Sequence, residues 1–392
     1  MQDVNGIKKF LQESLGQECV LFMAPGRVNL IGEHTDYADG FVMPAAIDFA
    51  TFAAICPTDS RTVTVSSKNF EETIQRPLDE IGTSGSHHWS DYPLGVLSVL
   101  QQEGIAVPGF HLALYGNVPL GAGLSSSASI EVASMLAMLH IAGVSIPLQK
   151  VAQLCQRAEN DYVGAPCGIM DQFVSCCGAA DHALLLDCRS LAYRLAPIPK
   201  HLSLVICNTM VKHSHAGGEY GTRRAEVEEG TAILHSHRPE IRLLRDATLD
   251  DLERWGHEMP LNVLKRCRHI ITENTRTVAA ADALEANDLK TLGRLMAEAH
   301  ASYRDDFEAS CREADVMVEL AIRQEGCVGA RLTGGGFGGC TVNLVESAHA
   351  EQFATKIAAG YQEITDIHPE IYQSRASAGA HKVEQPVMIL EK

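Results

Sequence analysis

The stretch PLGAGLSSSA (residues 119–128) lies between a predicted strand and a predicted helix. Before it, residues 110–115 place Phe, Leu and Leu at every second position, as a half-buried strand does. After it, residues 125–143 have helix composition and end at a glycine. Glycines allow a backbone to approach an anion closely, and a helix N-terminus offers unpaired N–H groups. The stretch therefore predicts a phosphate cradle, with a serine-capped turn as the alternative.

Two other nucleotide-binding motifs do not fit this stretch. It lacks the Gly-Lys-Ser/Thr ending of a Walker A loop. It also lacks the full Gly-x-Gly-x-x-Gly pattern with an acidic residue about 20 positions later, so a dinucleotide site is weakly supported. Neither this stretch nor the glycine-rich stretch at residues 331–341 contains a lysine. The charge of a bound nucleotide must then be met by backbone N–H groups, Mg²⁺ or arginine.

The elements around this stretch indicate two lobes. With 392 residues, the chain is too long for one compact core. We place the N-terminal lobe at residues 1–190 and the C-terminal lobe at residues 191–392, which begin with strands and continue as mostly helix from residue 217. The tail, residues 371–384, could return as a strand and complete the N-terminal lobe.

Two local predictions accompany this division. The segments FVMPAAI (residues 41–47) and ATFAAIC (residues 50–56) predict two separate strands. Gly217 and Gly218 follow a polar run and predict a loop that opens a long helix.

Composition restricts the classes of function. The formal net charge of −17 argues against nucleic acid or an anionic membrane as a partner, since either would need a basic surface. No stretch approaches the roughly 20 apolar residues of a membrane-spanning helix, and residues 1–16 lack the apolar core of a signal peptide. None of the 12 cysteines forms a Cys-x-x-Cys pair, which favours reduced thiols and a cytoplasmic location. We also expect a monomer rather than an obligate oligomer.

Polar side chains crowd the segment PGRVNLIGEHTDY (residues 25–37) around an apolar strand. Glu33, His34 and Asp36 supply several hydrogen-bond acceptors and one switchable donor within four positions. That set suits a ligand rich in hydroxyl groups, because each buried polar group must be matched. A solvated turn with a His–Asp contact is the alternative, and a metal site is disfavoured because no third ligand stands at motif spacing.

Three further features could carry chemistry. The stretch RLTGGGFGGCT (residues 331–341) has five glycines in six positions, which favours close backbone approach to a ligand over a flexible hairpin tip. Glu159 borders the apolar face of a predicted helix, where it is either a paired helix acid or a Mg²⁺ ligand. Asp171 stands among apolar neighbours beside a glycine, a pattern that by itself is typical of a helix N-cap.

Together these segments resemble the galactokinases of the GHMP small-molecule kinase family. PGRVNLIGEHTDY is similar to the galactokinase signature, PLGAGLSSSAS to the family's phosphate-loop motif, and LTGGGFGGC to its C-terminal glycine-rich motif. CGIMDQF, HSHAGGEYGTRR and SYRDDFEASC also resemble galactokinase segments. The resemblance runs from about residue 20 to about residue 345, with the segments in the expected order.

The resemblance implies an α+β, two-lobed GHMP-kinase fold with the active site in the cleft between the lobes. It implies that the enzyme transfers the γ-phosphate of ATP to the anomeric hydroxyl of D-galactose. Asp171 would be the catalytic base, and Arg27 would stabilise charge near the transferred phosphate. Five residues would surround the sugar: Glu33, His34, Asp36, Gly168 and Tyr220.

The resemblance also implies a nucleotide site and a metal site. Ser127 and Glu159 match the positions that hold Mg²⁺ in the family, and Trp89 resembles a residue that flanks the adenine. The residues that would wrap the phosphates are Gly121, Gly123, Leu124, Ser125 and Ser126.

Other functions stay open on the sequence alone. A kinase for a related sugar, such as N-acetylgalactosamine or arabinose, would share these segments. A galactose- and ATP-binding regulator without catalysis is an alternative of another class, although the presence of Ser127, Glu159 and Asp171 together favours an enzyme. A dehydrogenase is a further alternative, which would be excluded if NAD does not bind.

Overall fold

The computed structural model describes Leu15, residues 19–212 and residues 216–384. The predictions made for residues 1–14 and for residues 213–215, the start of the HSHAGGEYGTRR segment, lie outside the described residues. No helix in the described part of the chain is both long enough and apolar enough to cross a membrane.

A six-stranded sheet forms the core of the first half of the chain. Its neighbouring strands pair antiparallel except β4 and β6, which run parallel. Its strands, in spatial order, are β13 (His381–Lys382), β1 (Val20–Asn29), β3 (Pro44–Thr58), β6 (Gly109–Gly116), β4 (Thr62–Ser67) and β5 (Glu72–Pro77).

The alternation predicted for β6 is present. Phe110, Leu112 and Leu114 point to one face of the sheet and are buried in its main apolar core, as side chains two positions apart should be. The helices that cover the sheet or follow it are α1 (Asp91–Gln102), α2 (Ser126–Ile141), α3 (Leu148–Arg157) and α4 (Met170–Cys177).

A second sheet of four antiparallel strands lies in the second half of the chain, and a third sheet of three strands adjoins both halves. The four-stranded sheet has the order β10 (Cys327–Leu332), β11 (Gly338–Glu346), β9 (Leu202–Lys212) and β12 (Glu370–Ser374). The three-stranded sheet has the order β2 (Phe41–Val42), β7 (His182–Asp187) and β8 (Tyr193–Pro197).

Six helices complete the described second half. Four pack as a largely helical layer around a core that includes Tyr303 and Phe307, and two cover the four-stranded sheet. They are α5 (Ala216–His237), α6 (Leu249–Trp255), α7 (Leu261–Glu285), α8 (Leu289–Asp305), α9 (Arg312–Ile322) and α10 (Ala350–Thr365). Short 3₁₀ turns occupy Asp36–Ala38, Leu78–Glu80, Leu244–Asp246 and Gly256–Glu258.

The chain returns to the first sheet at its end. After β12, Ala376 bridges to Ile47 of β3, and β13 pairs with β1 at Phe22 and Met23. The last described strand therefore lies at the edge of the N-terminal sheet.

Three local predictions were wrong. Residues 41–47 and 50–56 do not form two separate strands. After the two-residue strand β2, Pro44–Thr58 is one continuous strand, which pairs with β1 over residues 44–55 and with β6 over residues 51–58. Gly217 and Gly218 lie inside the first turn of α5 and not in the predicted loop, although the predicted long helix is present. The predicted helix that carries Glu159 changes at Ala158 into a π-turn, Ala158–Val163.

Candidate active site

The phosphate-cradle stretch connects β6 to α2. Gly121 and Gly123 adopt φ angles of 70° and 75°, a left-handed region that glycine enters without strain. Ser125 is also left-handed at φ 60° and occupies the N-cap position of α2, yet its side chain makes no capping hydrogen bond. The N–H groups at the start of α2 are therefore not satisfied by this serine, which is the arrangement that an anion-binding helix start requires.

The Ser125 hydroxyl instead donates to Asp171. The Ser125 Oγ to Asp171 Oδ2 distance is 2.5 Å. Arg27 donates to both oxygens of the same carboxylate, from Nε at 2.7 Å and from Nη2 at 2.8 Å. Its third nitrogen donates to the backbone carbonyl of Gly123 at 2.7 Å. One arginine thus ties the Asp171 carboxylate to the phosphate-cradle stretch in a fixed, bidentate geometry.

The helix-cap interpretation of Asp171 does not hold. Ile169 occupies the N-cap position of α4, and Asp171 lies in the first turn with its side chain directed at Arg27 and Ser125. About a quarter of the Asp171 side chain, 27%, is exposed, whereas the Arg27 side chain is only 7% exposed. The Asp171 carboxylate therefore faces a solvent-accessible space, and the buried Arg27 holds the carboxylate in place.

That space is a polar cavity of about 190 Å³. It draws on the β1 segment, the loop before α4, the start of α5 and the glycine-rich loop between β10 and β11. The residues that line it are Arg27, Glu33, His34, Asp36, Pro166, Cys167, Gly168, Met170, Asp171, Tyr220, Gly334 and Gly335. The structure therefore brings together every residue that the resemblance placed around a sugar, along with Asp171 and Arg27.

Gly168 permits the close approach of Asp36. A Cβ atom added at residue 168 would lie 1.6 Å from Asp36 Oδ2, so no other residue fits there unless the carboxylate moves. Burial, together with the negative charge of Asp171, raises the pKa of Asp36 to about 6. The cavity thus holds two carboxyl groups close enough for the charge of one to oppose ionisation of the other.

Glu33 and His34 are buried deeper in the cavity wall. Glu33 Oε1 accepts from Arg331 Nη1 and from the Gly334 N–H, each at 3.0 Å. Burial raises the pKa of Glu33, and the charge of Arg331 opposes that rise. His34 Nε2 lies 3.1 Å from the Tyr303 hydroxyl oxygen and 3.2 Å from the Gly335 carbonyl oxygen. Burial lowers the pKa of His34 to about 3, so the ring is neutral at physiological pH.

Glu159 lies in the π-turn and is 7% exposed. Burial and the charge of Asp171 raise its pKa, and a hydrogen bond with Ser127 opposes that rise. The described residues contain no cluster of three or more His, Cys, Asp or Glu side chains that could hold a metal alone. A hydroxyl and a carboxylate beside a phosphate cradle nevertheless form the oxygen donor set that Mg²⁺ prefers when nucleotide phosphates complete its shell.

A second cavity of about 100 Å³ lies at the start of α2. Ser126 and Ser127 line it together with Trp89, Tyr92 and Phe70. The Phe70 and Trp89 rings stack with centroids 5.6 Å apart and planes 9° from parallel. The structure thus places Trp89 away from the polar cavity, in an apolar cavity with which the polar cavity shares no lining residue.

Leu124 contributes to the loop through its backbone. Its side chain is buried in a core that also contains Val28 and Leu30, and its carbonyl accepts from the Arg27 N–H at 3.1 Å.

Sequence reasoning missed several residues of the site. Phe70 lies outside every segment singled out in the sequence. Arg331 and Tyr303 lie inside such segments, but nothing in the segments shows that they contact Glu33 and His34, because those contacts are tertiary. Gln172 stands inside the quoted CGIMDQF segment, but nothing in the segment shows that its amide contacts Glu159 at 2.5 Å.

Comparisons with known proteins agree with this arrangement. Residues 8–57 match the family model for the galactokinase galactose-binding signature. Residues 91–179 match the N-terminal domain of GHMP kinases, and residues 280–363 match their C-terminal domain.

Similar proteins of known name and structure cover almost the whole chain. A galactokinase of Chloroflexus aggregans is 46% identical over 86% of this chain and 87% of its own. One of Roseiflexus sp. is 42% identical over 98% of each chain. The crystal structure of Lactococcus lactis galactokinase complexed with galactose superposes with a TM-score of 0.93 at 32% identity, covering 97% of this chain and 100% of that one. A mevalonate kinase at 17% identity, with a TM-score of 0.64 over 91% of this chain and 98% of its own, shares the fold. The chain therefore belongs to the galactokinase family and has the two-domain fold of the GHMP kinases.

Proposed function

We propose that this protein is an ATP-dependent sugar kinase that phosphorylates D-galactose at its anomeric hydroxyl, giving galactose 1-phosphate and ADP. One observation carries the proposal: the Arg27–Asp171 pair joins the phosphate-cradle stretch to the wall of a polar cavity. A sugar in the cavity and a nucleotide on the cradle would meet at Asp171. The names of the relatives and the galactose complex of the Lactococcus lactis enzyme support galactose as the sugar.

Asp171 is the proposed base. A carboxylate has about four lone-pair sites, and three here accept from Arg27 and Ser125. The remaining site can accept the C1 hydroxyl of the sugar and orient its oxygen for in-line attack. Arg27 is the proposed stabiliser of negative charge on the transferred group, because phosphoryl transfer depends mainly on positioning and electrostatics.

Ser127 and Glu159 are the proposed holders of Mg²⁺. Both offer oxygen donors beside the start of α2, and burial makes an ionised Glu159 unfavourable unless a cation joins it. When bound, Mg²⁺ neutralises charge on the nucleotide phosphates.

The proposed nucleotide site extends from the cradle to the apolar cavity. The backbone of Gly121, Gly123 and Leu124, with Ser125 and Ser126, would wrap the phosphates. Trp89 would flank the adenine, and its stacking on Phe70 supports this, since two rings already define a flat apolar wall.

The proposed sugar site consists of the charged and polar wall of the larger cavity. Asp36 and Tyr220 face the cavity and would contact hydroxyl groups, and Gly168 leaves room for Asp36. Glu33 and His34 line the same cavity and are held in place by Arg331, Tyr303 and the glycine-rich loop.

The proposal extends to organisation and setting. We propose that residues 1–190, completed by β13, and residues 191–392 act as the two lobes of the cleft. We also propose that the protein is a cytoplasmic monomer.

A sugar panel tests the proposal. ADP release should be measured with ATP and Mg²⁺ on galactose, glucose, N-acetylgalactosamine and arabinose. Galactose should be turned over fastest and glucose poorly, because a site matched to the axial C4 hydroxyl leaves polar groups unpaired with glucose. Faster turnover of N-acetylgalactosamine or arabinose would support a related sugar kinase, and galactose binding without ADP release would support a regulator.

A further inference from the structure

A row of three buried polar side chains runs behind the proposed metal site. Glu131 of α2 and Gln172 of α4 are fully buried, and Glu159 of the π-turn is nearly so. The Gln172 amide nitrogen donates to Glu159 Oε2 at 2.5 Å and to Glu131 Oε2 at 3.1 Å. A single amide group therefore connects two carboxyl groups from two different elements.

Gln172 is the chain neighbour of the proposed base, Asp171. Gln172 directly follows Asp171 in the first turn of α4, and successive helical side chains point about 100° apart. Asp171 is directed to Arg27 and Ser125, while Gln172 is directed to Glu159. One helical turn thus carries the proposed base and the group that contacts the proposed metal ligand.

Glu131 closes the row from behind. Among residues 19–212 and 216–384, Oε1 of Glu131 and Oε1 of Gln172 have no hydrogen-bond partner. Burial, and then the charge of Glu159, raises the pKa of Glu131 well above its ordinary value. Glu131 Oε2 accepts from the Gln172 amide at 3.1 Å, and Glu131 is fully buried, so it supports the amide from within the protein.

We propose that Gln172 is a positioning residue that fixes the Glu159 carboxylate for Mg²⁺, with Glu131 bracing the amide rather than binding the metal. The inference rests on the proposed function of Ser127 and Glu159. Glu159 lies in a π-turn, a local irregularity that is frequent at functional sites, and the Gln172 amide contacts its carboxylate directly. Residues that orient a metal ligand in this way commonly change metal affinity when they are replaced.

Mn²⁺ binding tests the inference without turnover. Electron paramagnetic resonance should measure the affinity of Mn²⁺ in the presence of a non-hydrolysable ATP analogue and no sugar. Gln172→Met keeps the volume and removes the amide, and it should weaken Mn²⁺ binding by about 10- to 100-fold. The KM for galactose should change less than about threefold in the same variant. If Gln172→Met does not fold, Gln172→Asn withdraws the amide by one methylene and should act in the same direction.

Three matched variants make the result specific. Gln156→Met removes a similar amide that donates to the Cys167 carbonyl, not to Glu159, and it should leave Mn²⁺ affinity within about threefold of the wild type. Glu131→Gln keeps an acceptor oxygen behind the Gln172 amide, and it should also leave Mn²⁺ affinity within about threefold of the wild type. Glu159→Gln should weaken Mn²⁺ binding at least as much as Gln172→Met.

Two outcomes would overturn the inference. One is Mn²⁺ affinity in Gln172→Met that equals the wild type or falls only as far as in Gln156→Met. The other is a loss in Glu131→Gln as large as in Glu159→Gln, which would make Glu131 a metal ligand. Failure of the proposed function is distinguishable, because it would leave the wild type without turnover of galactose while this binding comparison could still be made.

Discussion

Asp36→Asn should stabilise the ligand-free protein and weaken galactose binding at the same time. Asp36 carries a pKa raised from 3.8 to about 6 by burial and by the charge of Asp171. Its folded-state pKa therefore exceeds its unfolded-state pKa, so ionised Asp36 opposes folding at neutral pH. Asparagine keeps the shape and cannot ionise, so it removes this opposition.

The magnitude follows from the shift. A rise of about two units in the pKa of Asp36 on folding corresponds to a loss of about 3 kcal/mol in the free energy of unfolding when the group is ionised. Because Asp36 is only partly buried, we expect about 1–2 kcal/mol. The size of this gain in the free energy of unfolding depends on pH. Near pH 4 the gain should be a few tenths of a kcal/mol, it should grow as pH rises to 6, and it should stay nearly constant above that.

Urea unfolding from pH 4.5 to 8, with isothermal titration of galactose at pH 7.5, measures both effects. Galactose affinity should fall about tenfold, because the proposed charged acceptor of a sugar hydroxyl is replaced by a neutral one. Asp39→Asn is the matched control in the same loop. Asp39 pairs with Arg189 at the surface, so its loss should change stability by less than about 1 kcal/mol and leave galactose affinity intact. A variant Asp36→Asn with unaltered galactose affinity, or with a stability gain that does not depend on pH, would refute the reasoning.

Three further predictions concern the proposed chemistry. Asp171→Asn should fold, bind both substrates and lose about 10²–10⁴ in kcat, as measured by steady-state kinetics, and a near wild-type rate would remove Asp171 as the base. Ser127→Ala and Glu159→Gln should each raise the Mg²⁺ concentration needed for half-maximal activity while calorimetry shows galactose binding retained; an unchanged Mg²⁺ requirement in both would contradict the metal assignment. Gly168→Ala must displace the Asp36 carboxylate, since the added Cβ would lie 1.6 Å from Oδ2, and it should weaken galactose at least about tenfold with ATP affinity kept; equal galactose affinity would show that Asp36 does not contact the sugar.

Local patterns predicted the elements that carry the site. The alternation of residues 110–115, the glycines before α2 and the helix after them appear at the predicted places, because each depends on short-range periodicity and backbone geometry. The resemblance also selected Arg27, Asp36, Gly168 and Asp171, which line one cavity.

Long-range contacts could not be predicted in this way. The Ser125 hydroxyl binds Asp171, 46 positions later, whereas its sequence context suggested a cap or a phosphate contact. The Arg331–Glu33 pair joins residues 298 positions apart. The π-turn at Glu159 could not be predicted either, since the apolar periodicity of α3 continues through it in the sequence.

The position of phosphate on the product tests the central claim most directly. The wild-type protein should be incubated with D-galactose, ATP and Mg²⁺, and the product examined by phosphorus–proton correlation in nuclear magnetic resonance. We predict that the phosphorus couples to the anomeric proton and that ADP forms in equal amount, because the proposed base, Asp171, is joined through Arg27 and Ser125 to the phosphate-cradle stretch. Phosphate at any other hydroxyl, or ADP formed with inorganic phosphate and no sugar phosphate, would contradict the account.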